Sequence, residues 1–294
     1  VFSPVLAQMS FEEMVKYLSS IGVDQLEMGA GGCPGKDHFD PEVLLKDESK
    51  IDDIKRILAE NNMSIAAISA HGNPVHPDKK IAKQYHDEFN AAVLLAEKLG
   101  VDTMIGFSGC PGDSEGSIRP NWVTCAWPTD YLDTLKWQWE EVLIPYWKEE
   151  AKFLKEHGIK KLAFEMHPGF CVYNPITVLK LRDAVGDIIG ANIDPSHLIW
   201  QGMDPVAVVK ELGAHNAIYH FHAKDTRVDN ANTAVNGVLD TRSYADVLNR
   251  SWVFRTVGYG HGKEFWNDII STLKAVGYDG VISIEHEDSL MSPK

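Results

Sequence analysis

The chain has 294 residues and is 44% hydrophobic, which is enough for the core of one large α/β domain. Its formal net charge is −14, and this acidity argues against a nucleic-acid partner, which would favour a basic face. No apolar run approaches the roughly 20 residues needed to span a membrane, and no signal-peptide pattern is found. We therefore expect a cytoplasmic protein without a membrane or nucleic-acid partner.

Eight strand-like runs recur along the chain, and stretches with helical periodicity separate most of them. The predicted strands are Val1–Val5, Gln25–Met28, Ile65–Ala70, Asp102–Phe107, Lys161–Met166, Ile189–Ile193, Ala217–Ala223 and Val281–Glu285. The predicted helices include Ser10–Ser20, Ile51–Asn61, Ile81–Leu99, Leu132–Glu156 and Lys263–Val276. The first helix opens with a capping pattern, in which Ser10 is followed three residues later by Glu13.

Strands that alternate with helices are typical of a parallel sheet covered by helices. Eight such alternations predict a (β/α)8 TIM barrel, an α/β fold in a single domain over residues 1–294. The alternative is an open, doubly wound sheet. It is weakened because no G-x-G-x-x-G pattern follows the first predicted strand.

Two long loops, Ser108–Asp130 and Thr226–Gly262, each follow the end of a predicted strand. Active sites of such barrels lie at these strand ends, and loops of this length are usually lids or insertions. Trp200 lies shortly after another strand end and offers an aromatic face for a sugar ring. The ordinary alternative for a tryptophan is packing in the core.

Four predicted strands in the second half of the chain carry an acidic or imidazole side chain at or just beyond their C-terminal ends. These residues are Glu165, Asp194, His222 and Glu285. Because the strand ends of a barrel converge, we expect the four side chains to meet at one divalent cation. Three carboxylates and one imidazole form a hard donor set that favours Mn²⁺, with Mg²⁺, Co²⁺ and Zn²⁺ as alternatives.

His167 lies two residues beyond Glu165. Side chains alternate between the two faces of a strand, so these two point the same way if the strand extends that far. His220 and His222 are related in the same way. We therefore predict that His167 lies beside the cation and takes part in catalysis.

The order Glu…Asp-x-x-His…His-x-x-Asp…Glu resembles the xylose-isomerase-like TIM barrels over essentially the whole chain. That superfamily includes sugar phosphate isomerases and epimerases, ketose 3-epimerases, inosose-processing enzymes and, more distantly, endonuclease IV. The resemblance implies that Glu165, Asp194, His222 and Glu285 bind the metal. It also implies that Glu165 and Glu285 act as acid and base, and that His197 supports the ligands or contacts the substrate.

The sequence departs from the ketose epimerases after the predicted ligand His222. Those enzymes continue with Glu and then Arg, whereas this chain continues with Ala, Lys224 and Asp225. His167 resembles instead a branch that epimerises or cleaves 3-keto-glycosides, where an imidazole near the metal serves as a separate base. The candidate substrate contacts are His71, His197, Trp200, Lys224 and Arg255.

These features predict a divalent-metal-dependent isomerase or epimerase that acts on a keto-sugar or keto-glycoside through an enediolate intermediate. One alternative is a lyase that cleaves a 3-keto-glycoside by β-elimination, which shares the first step. Alternatives of other classes are an endonuclease IV-like DNA repair enzyme, which needs three zinc ions, and a non-catalytic sugar-binding barrel. The identity of the sugar, the presence of a phosphate on it and a homo-oligomeric state remain open.

Overall fold

The computed structural model describes residues 1–292. The chain divides into two compact units, and the boundary lies between residues 191 and 192, inside one β-strand. The main sheet has seven strands in the order β1-β2-β3-β4-β5-β6-β9. No helix among residues 1–292 is long and apolar enough to cross a membrane.

The first unit contains the first four strands and part of the fifth. The strands are β1 Gln25–Gly32, β2 Ser64–His71, β3 Thr103–Gly106, β4 Lys161–Glu165 and β5 Ile189–Ile193. The helices are α1 Phe11–Ser20, α2 Pro41–Leu44, α3 Glu48–Glu60, α4 Lys79–Leu99, α5 Asp130–Trp137, α6 Ile144–Glu156 and α7 Pro175–Val185. Strands β1 to β4 pair in parallel in chain order, so their C-terminal ends lie at one edge of the sheet.

The second unit begins in β5. Its helices are α8 Pro195–Trp200, α9 Pro205–Ala214, α10 Asn230–Asn236 and α11 Lys263–Ala275. Its strands are β6 Ile218–Ala223, β7 Asp225–Val228, β8 Trp252–Arg255 and β9 Ser283–Ile284. Strand β6 pairs in parallel with β9, whereas β7 and β8 form a separate antiparallel pair.

Local sequence signals explain several of these boundaries. The predicted capping box is confirmed, because Ser10 and Glu13 bond reciprocally at the start of α1. Gly100 ends α4 in the left-handed conformation, with φ of 74°. At the end of β1, Gly32 also has a positive φ, and a Cβ there would lie 1.9 Å from the carbonyl oxygen of His71. Only glycine lets β1 approach the end of β2 this closely.

The prediction of a first strand over Val1–Val5 is wrong in its extent. Phe2 forms a single parallel bridge with Glu27, and a 3₁₀ helix follows at Ser3–Leu6. Pro4 has no N–H for a strand ladder and has the φ that suits the start of a helical turn. The sheet therefore contains seven strands among residues 1–292, and one bridge lies where the eighth strand was predicted.

Two further expectations need correction. The segment Thr226–Gly262 was predicted as a loop but contains most of β7 and all of α10 and β8. The predicted helix Leu132–Glu156 is interrupted by a π-helical turn at Gln138–Leu143, where the buried Gln138 amide donates to backbone carbonyls of the preceding loop. Such π turns bring one extra residue into the helix and often fix side chains that a regular helix would displace.

Candidate metal centre

Glu165 is the last residue of β4, and its side chain is only 4% exposed. His71 ends β2 and donates from Nε2 to Glu165 Oε2 over 3.0 Å. The His71 ring lies against Phe107 at 4.6 Å between centroids, and its Nδ1 has no hydrogen-bond partner among residues 1–292. The hydrogen bond from His71 orients the Glu165 carboxylate.

Asp194 follows β5 and caps α8. Its Oδ1 accepts the backbone N–H of Ser196 over 2.8 Å, which fixes the carboxylate. Its Oδ2 lies 3.3 Å from His197 Nε2 and 3.3 Å from Lys224 Nζ. His197 therefore contacts a predicted ligand directly, which suits the supporting role that the resemblance implies for it.

His222 and Glu285 come from the neighbouring strands β6 and β9. His222 Nδ1 lies 2.9 Å from Glu285 Oε2 and 3.2 Å from the side-chain amide of Asn192. Glu285 directly follows β9, and its backbone N–H donates to Ala223 across the strand pair over 3.3 Å. Its side chain is 13% exposed, whereas His222 is fully buried.

Three of the four predicted ligands converge within the second unit. Asp194, His222 and Glu285 each offer one ligand atom, and these atoms all lie within 4.8 Å of one another. Two carboxylates at such a distance repel each other and are costly to bury unless cations balance them. The donor set therefore suits a hard divalent ion. Glu165 belongs to the first unit, and the ligand roles of all four residues stay a prediction.

His167 lies beyond the end of its strand. The prediction that Glu165 and His167 share a strand face required the strand to extend to His167, but β4 stops at Glu165. His167 is half-buried, and its Nδ1 lies 2.6 Å from the carbonyl oxygen of Pro168. Its ring packs against Phe107 and Phe170, with centroids 5.0 and 5.6 Å away. Its part in catalysis stays a prediction.

Trp200 packs among aromatic residues. It is 5% exposed and stacks on Trp252 with centroids 4.6 Å apart and an angle of 4° between the rings. Phe254 belongs to the same cluster. One face of the indole is therefore covered by Trp252, and its buried Nε1 has no hydrogen-bond partner among residues 1–292. The predicted contact with a sugar must use the other face or the Nε1–H.

Arg255 ends β8 and donates from Nε to Asp288 Oδ2 over 2.9 Å. Burial opposes ionisation of Asp288, but hydrogen bonds from backbone N–H groups and from Arg255 hold its pKa below the usual value. Arg255 thus fixes the segment that follows Glu285. Its contact with the substrate stays a prediction, for which the guanidinium has further N–H donors.

Asp225 has a role that the sequence alone did not reveal. Its buried carboxylate accepts the backbone N–H groups of Gly258, Gly260 and His261, the His261 ring and the indole N–H of Trp266. A Cβ at Gly260 would lie 2.5 Å from Asp225 Oδ1, so glycine is required there. The sequence signal for this role was the position of Asp225 in the His-x-x-Asp pattern together with the later glycine-rich segment Gly-Tyr-Gly-His-Gly at residues 258–262.

The amino-acid sequence matches the family model of the xylose isomerase-like TIM barrel over residues 15–294, and the chain belongs to that family. The match confirms the predicted α/β barrel class, whereas the domain bounds of 1–294 stay a prediction. One relative is the uncharacterized protein YfiH of Bacillus subtilis (strain 168). The two are 39% identical over 291 residues, which cover 98% of this chain and 92% of that protein.

Solved structures with the same fold include enzymes of two reaction types. One is the probable 3-DHS dehydratase AsbF of Bacillus anthracis, with a TM-score of 0.66, 16% identity, and coverage of 97% of this chain and 91% of that one. Another is D-psicose 3-epimerase, crystallised in the presence of D-fructose, with a TM-score of 0.62, 13% identity, and coverage of 99% and 86%. At such identities the likeness shows the fold alone.

Proposed function

We propose that this protein is a divalent-metal-dependent isomerase or epimerase that acts on a keto-sugar or keto-glycoside. The observation that carries the proposal is the convergence of three ligand atoms, from Asp194, His222 and Glu285, within 4.8 Å of one another. Membership of the xylose isomerase-like family supports it, because its solved relatives by fold include a sugar epimerase.

The donor set favours Mn²⁺, and Mg²⁺, Co²⁺ or Zn²⁺ are the other candidates. A divalent ion held by these residues would supply Lewis acidity toward a carbonyl oxygen and its neighbouring hydroxyl. The residues themselves hold the ligand geometry in place. His71 fixes Glu165, Ser196 fixes Asp194, and the β6–β9 pairing fixes Glu285.

Glu165 and Glu285 are the proposed acid and base. A carboxylate removes the proton from the carbon next to the carbonyl, and the opposite carboxylic acid returns a proton to the other face or to the neighbouring carbon. Their surroundings differ, since Glu165 contacts His71 whereas Glu285 contacts His222 and Lys224. A pair of carboxyl groups that act as acid and base requires such a difference in partners.

A lyase that eliminates the aglycone from a 3-keto-glycoside is the second candidate, and an imidazole two residues after Glu165 supports it. His167 Nδ1 donates to the carbonyl oxygen of Pro168 over 2.6 Å, which fixes the orientation of the ring. One solved structure of the same fold is that of a probable 3-DHS dehydratase, which supports an elimination as the second candidate reaction.

The proposal is tested by incubating the Mn²⁺-loaded protein with a panel of keto-sugars and 3-keto-glycosides in D₂O and following the products by NMR. We expect an isomer or epimer that carries deuterium at the reacting carbon. Turnover without deuterium uptake would indicate a hydride shift and would rule out the two-carboxylate mechanism. Release of an aglycone with an unsaturated sugar would instead identify the lyase.

A further inference from the structure

Lys224 is a buried cation surrounded by acidic groups. It directly follows β6, and its side chain is 2% exposed. Its Nζ lies 3.3 Å from Asp194 Oδ2, 3.2 Å from Glu285 Oε2 and 2.6 Å from Glu287 Oε2. Its Nζ also lies 4.5 Å from the centroid of the Phe254 ring, which shields the charge further.

An ammonium group has three N–H donors and no acceptor. Three carboxylates lie within 3.3 Å of Lys224 Nζ, so the strongest partners of the ammonium are protein carboxylates rather than a sugar hydroxyl. The arrangement therefore favours a role for Lys224 other than the substrate contact predicted from the sequence. Two of its three partners, Asp194 and Glu285, are also proposed metal ligands.

We propose that Lys224 is an internal counter-cation that competes with the divalent ion for Asp194 and Glu285 and thereby sets the metal affinity. The inference rests on the proposed function, because it requires that these carboxylates bind a divalent ion. Without that ion, the ammonium offsets the repulsion between two buried carboxylates and keeps them in place. When the ion binds, two positive charges share the same oxygens, and their repulsion weakens binding.

Glu287 gives Lys224 a carboxylate partner in both the metal-free and the metal-bound protein. It is not one of the proposed metal ligands, and its side chain is 49% exposed, so its contact with Lys224 does not depend on the metal. When the divalent ion claims Asp194 and Glu285, Glu287 continues to hold the ammonium. Loss of Glu287 should therefore commit Lys224 more strongly to the ligand oxygens.

The test is calorimetric titration of the metal-stripped full chain with MnCl₂, without substrate. K224M removes the charge while keeping much of the apolar stem, and we expect its Mn²⁺ dissociation constant to fall by about tenfold or more, since one coulombic competitor is gone. K224R keeps the charge and should stay within about threefold of the unmodified protein. E287Q should change affinity in the opposite direction and raise the dissociation constant by about threefold or more.

The control is K160M, which removes an equal charge from a surface lysine paired with Asp102 and should leave Mn²⁺ affinity unchanged. If K224M is folded by circular dichroism but binds Mn²⁺ no more tightly, the counter-cation role is wrong. E287Q tests the same idea at a half-exposed position if K224M does not fold, and unchanged affinity in that variant also overturns it. Failure of the unmodified protein to bind Mn²⁺ at all would instead overturn the proposed function, and this inference with it.

Discussion

His71 donates a hydrogen bond from Nε2 to Glu165 Oε2 over 3.0 Å, and both side chains are almost fully buried. The two residues end strands β2 and β4, so the bond links strand ends that are separated by β3 in the sheet. A carboxylate that serves both as a metal ligand and as an acid or base must keep one orientation. The imidazole provides that restraint, because few other donors reach a buried strand end.

Substitution of His71 by alanine should weaken Mn²⁺ binding by about 10–100-fold, since partners that orient metal ligands contribute this much. His71→Gln retains an N–H donor and should recover a large part of the loss. Calorimetric titration with Mn²⁺ measures both effects directly. Equal affinity in the alanine variant and the unmodified protein would show that Glu165 needs no orienting partner.

The metal content provides a second prediction. The purified protein should contain one divalent ion per chain, which EDTA removes and Mn²⁺ restores, because the ligand atoms of Asp194, His222 and Glu285 form one candidate site. Asp194→Asn should reduce occupancy, whereas Asp229→Asn at the exposed cap of α10 should leave it unchanged. Elemental analysis by mass spectrometry measures the stoichiometry. Three zinc ions per chain would contradict the mononuclear site and support the endonuclease IV alternative.

The residues of the candidate site could be predicted from the sequence because they follow from strand periodicity. Glu165 and His222 lie within apolar strands, and Asp194 and Glu285 follow such strands directly. Because strand ends converge in a parallel barrel, side chains at these positions are expected to meet, and the ligand atoms of Asp194, His222 and Glu285 do so. The start of α1 could also be predicted from the local sequence, since Ser10 and Glu13 form a capping box within one turn.

Other features could not be predicted, because they depend on contacts between distant segments. The three carboxylates around Lys224 come from positions 194, 285 and 287, and nothing near Lys224 in the sequence indicates that they meet. Trp200 was predicted to offer an aromatic face to a sugar, with core packing as the alternative; its stacking on Trp252 depends on β8, which lies in a segment predicted to be a loop. The prediction of a first strand at Val1–Val5 was wrong for a local reason, because Pro4 lies at the start of a 3₁₀ helix.

Asp225 should stabilise the turn at residues 256–262. Asp225→Asn replaces one acceptor oxygen by a donor among several N–H groups, and we expect a loss of about 2–4 kcal/mol in the free energy of unfolding. Asp204→Asn is a matched control, because Asp204 caps the exposed start of α9 and asparagine caps equally well. Urea denaturation compares the two variants. A loss in Asp225→Asn no larger than in the control would contradict the anchoring role.

Stability should depend on pH through Glu150. Burial raises the pKa of Glu150 to about 7, while its Oε1 lies 3.2 Å from His86 Nδ1 and its Oε2 has no hydrogen-bond partner among residues 1–292. A raised carboxyl pKa means that the folded state holds the proton more tightly than the unfolded chain, whose pKa is near 4.5. This contribution is fully present below pH 4.5 and is lost as the pH rises through about 7.

Glu150→Gln should remove this dependence. The amide stays neutral at every pH, so the variant should be more stable than the unmodified protein at pH 8 by roughly 2 kcal/mol, after allowance for solvent near His86. At pH 4.5 the two proteins should differ little. Urea denaturation at several pH values measures the difference. A constant difference across this range would show that Glu150 is ionised throughout in the folded protein.

Substitution of His167 should distinguish the proposed isomerase from the alternative lyase. Under the proposed isomerase or epimerase mechanism, Glu165 and Glu285 move the protons, so His167→Ala should raise KM and retain much of kcat. If His167 is the base of a lyase, the loss should instead fall on kcat, by roughly 10²–10⁴-fold. The comparison needs the active substrate from the keto-sugar panel and His215→Ala as a control, whose exposed ring contacts only Glu211 among the hydrogen bonds described for it. If added Mn²⁺ restores the activity of the variant, His167 acts by supporting the metal ligands rather than by contacting the substrate.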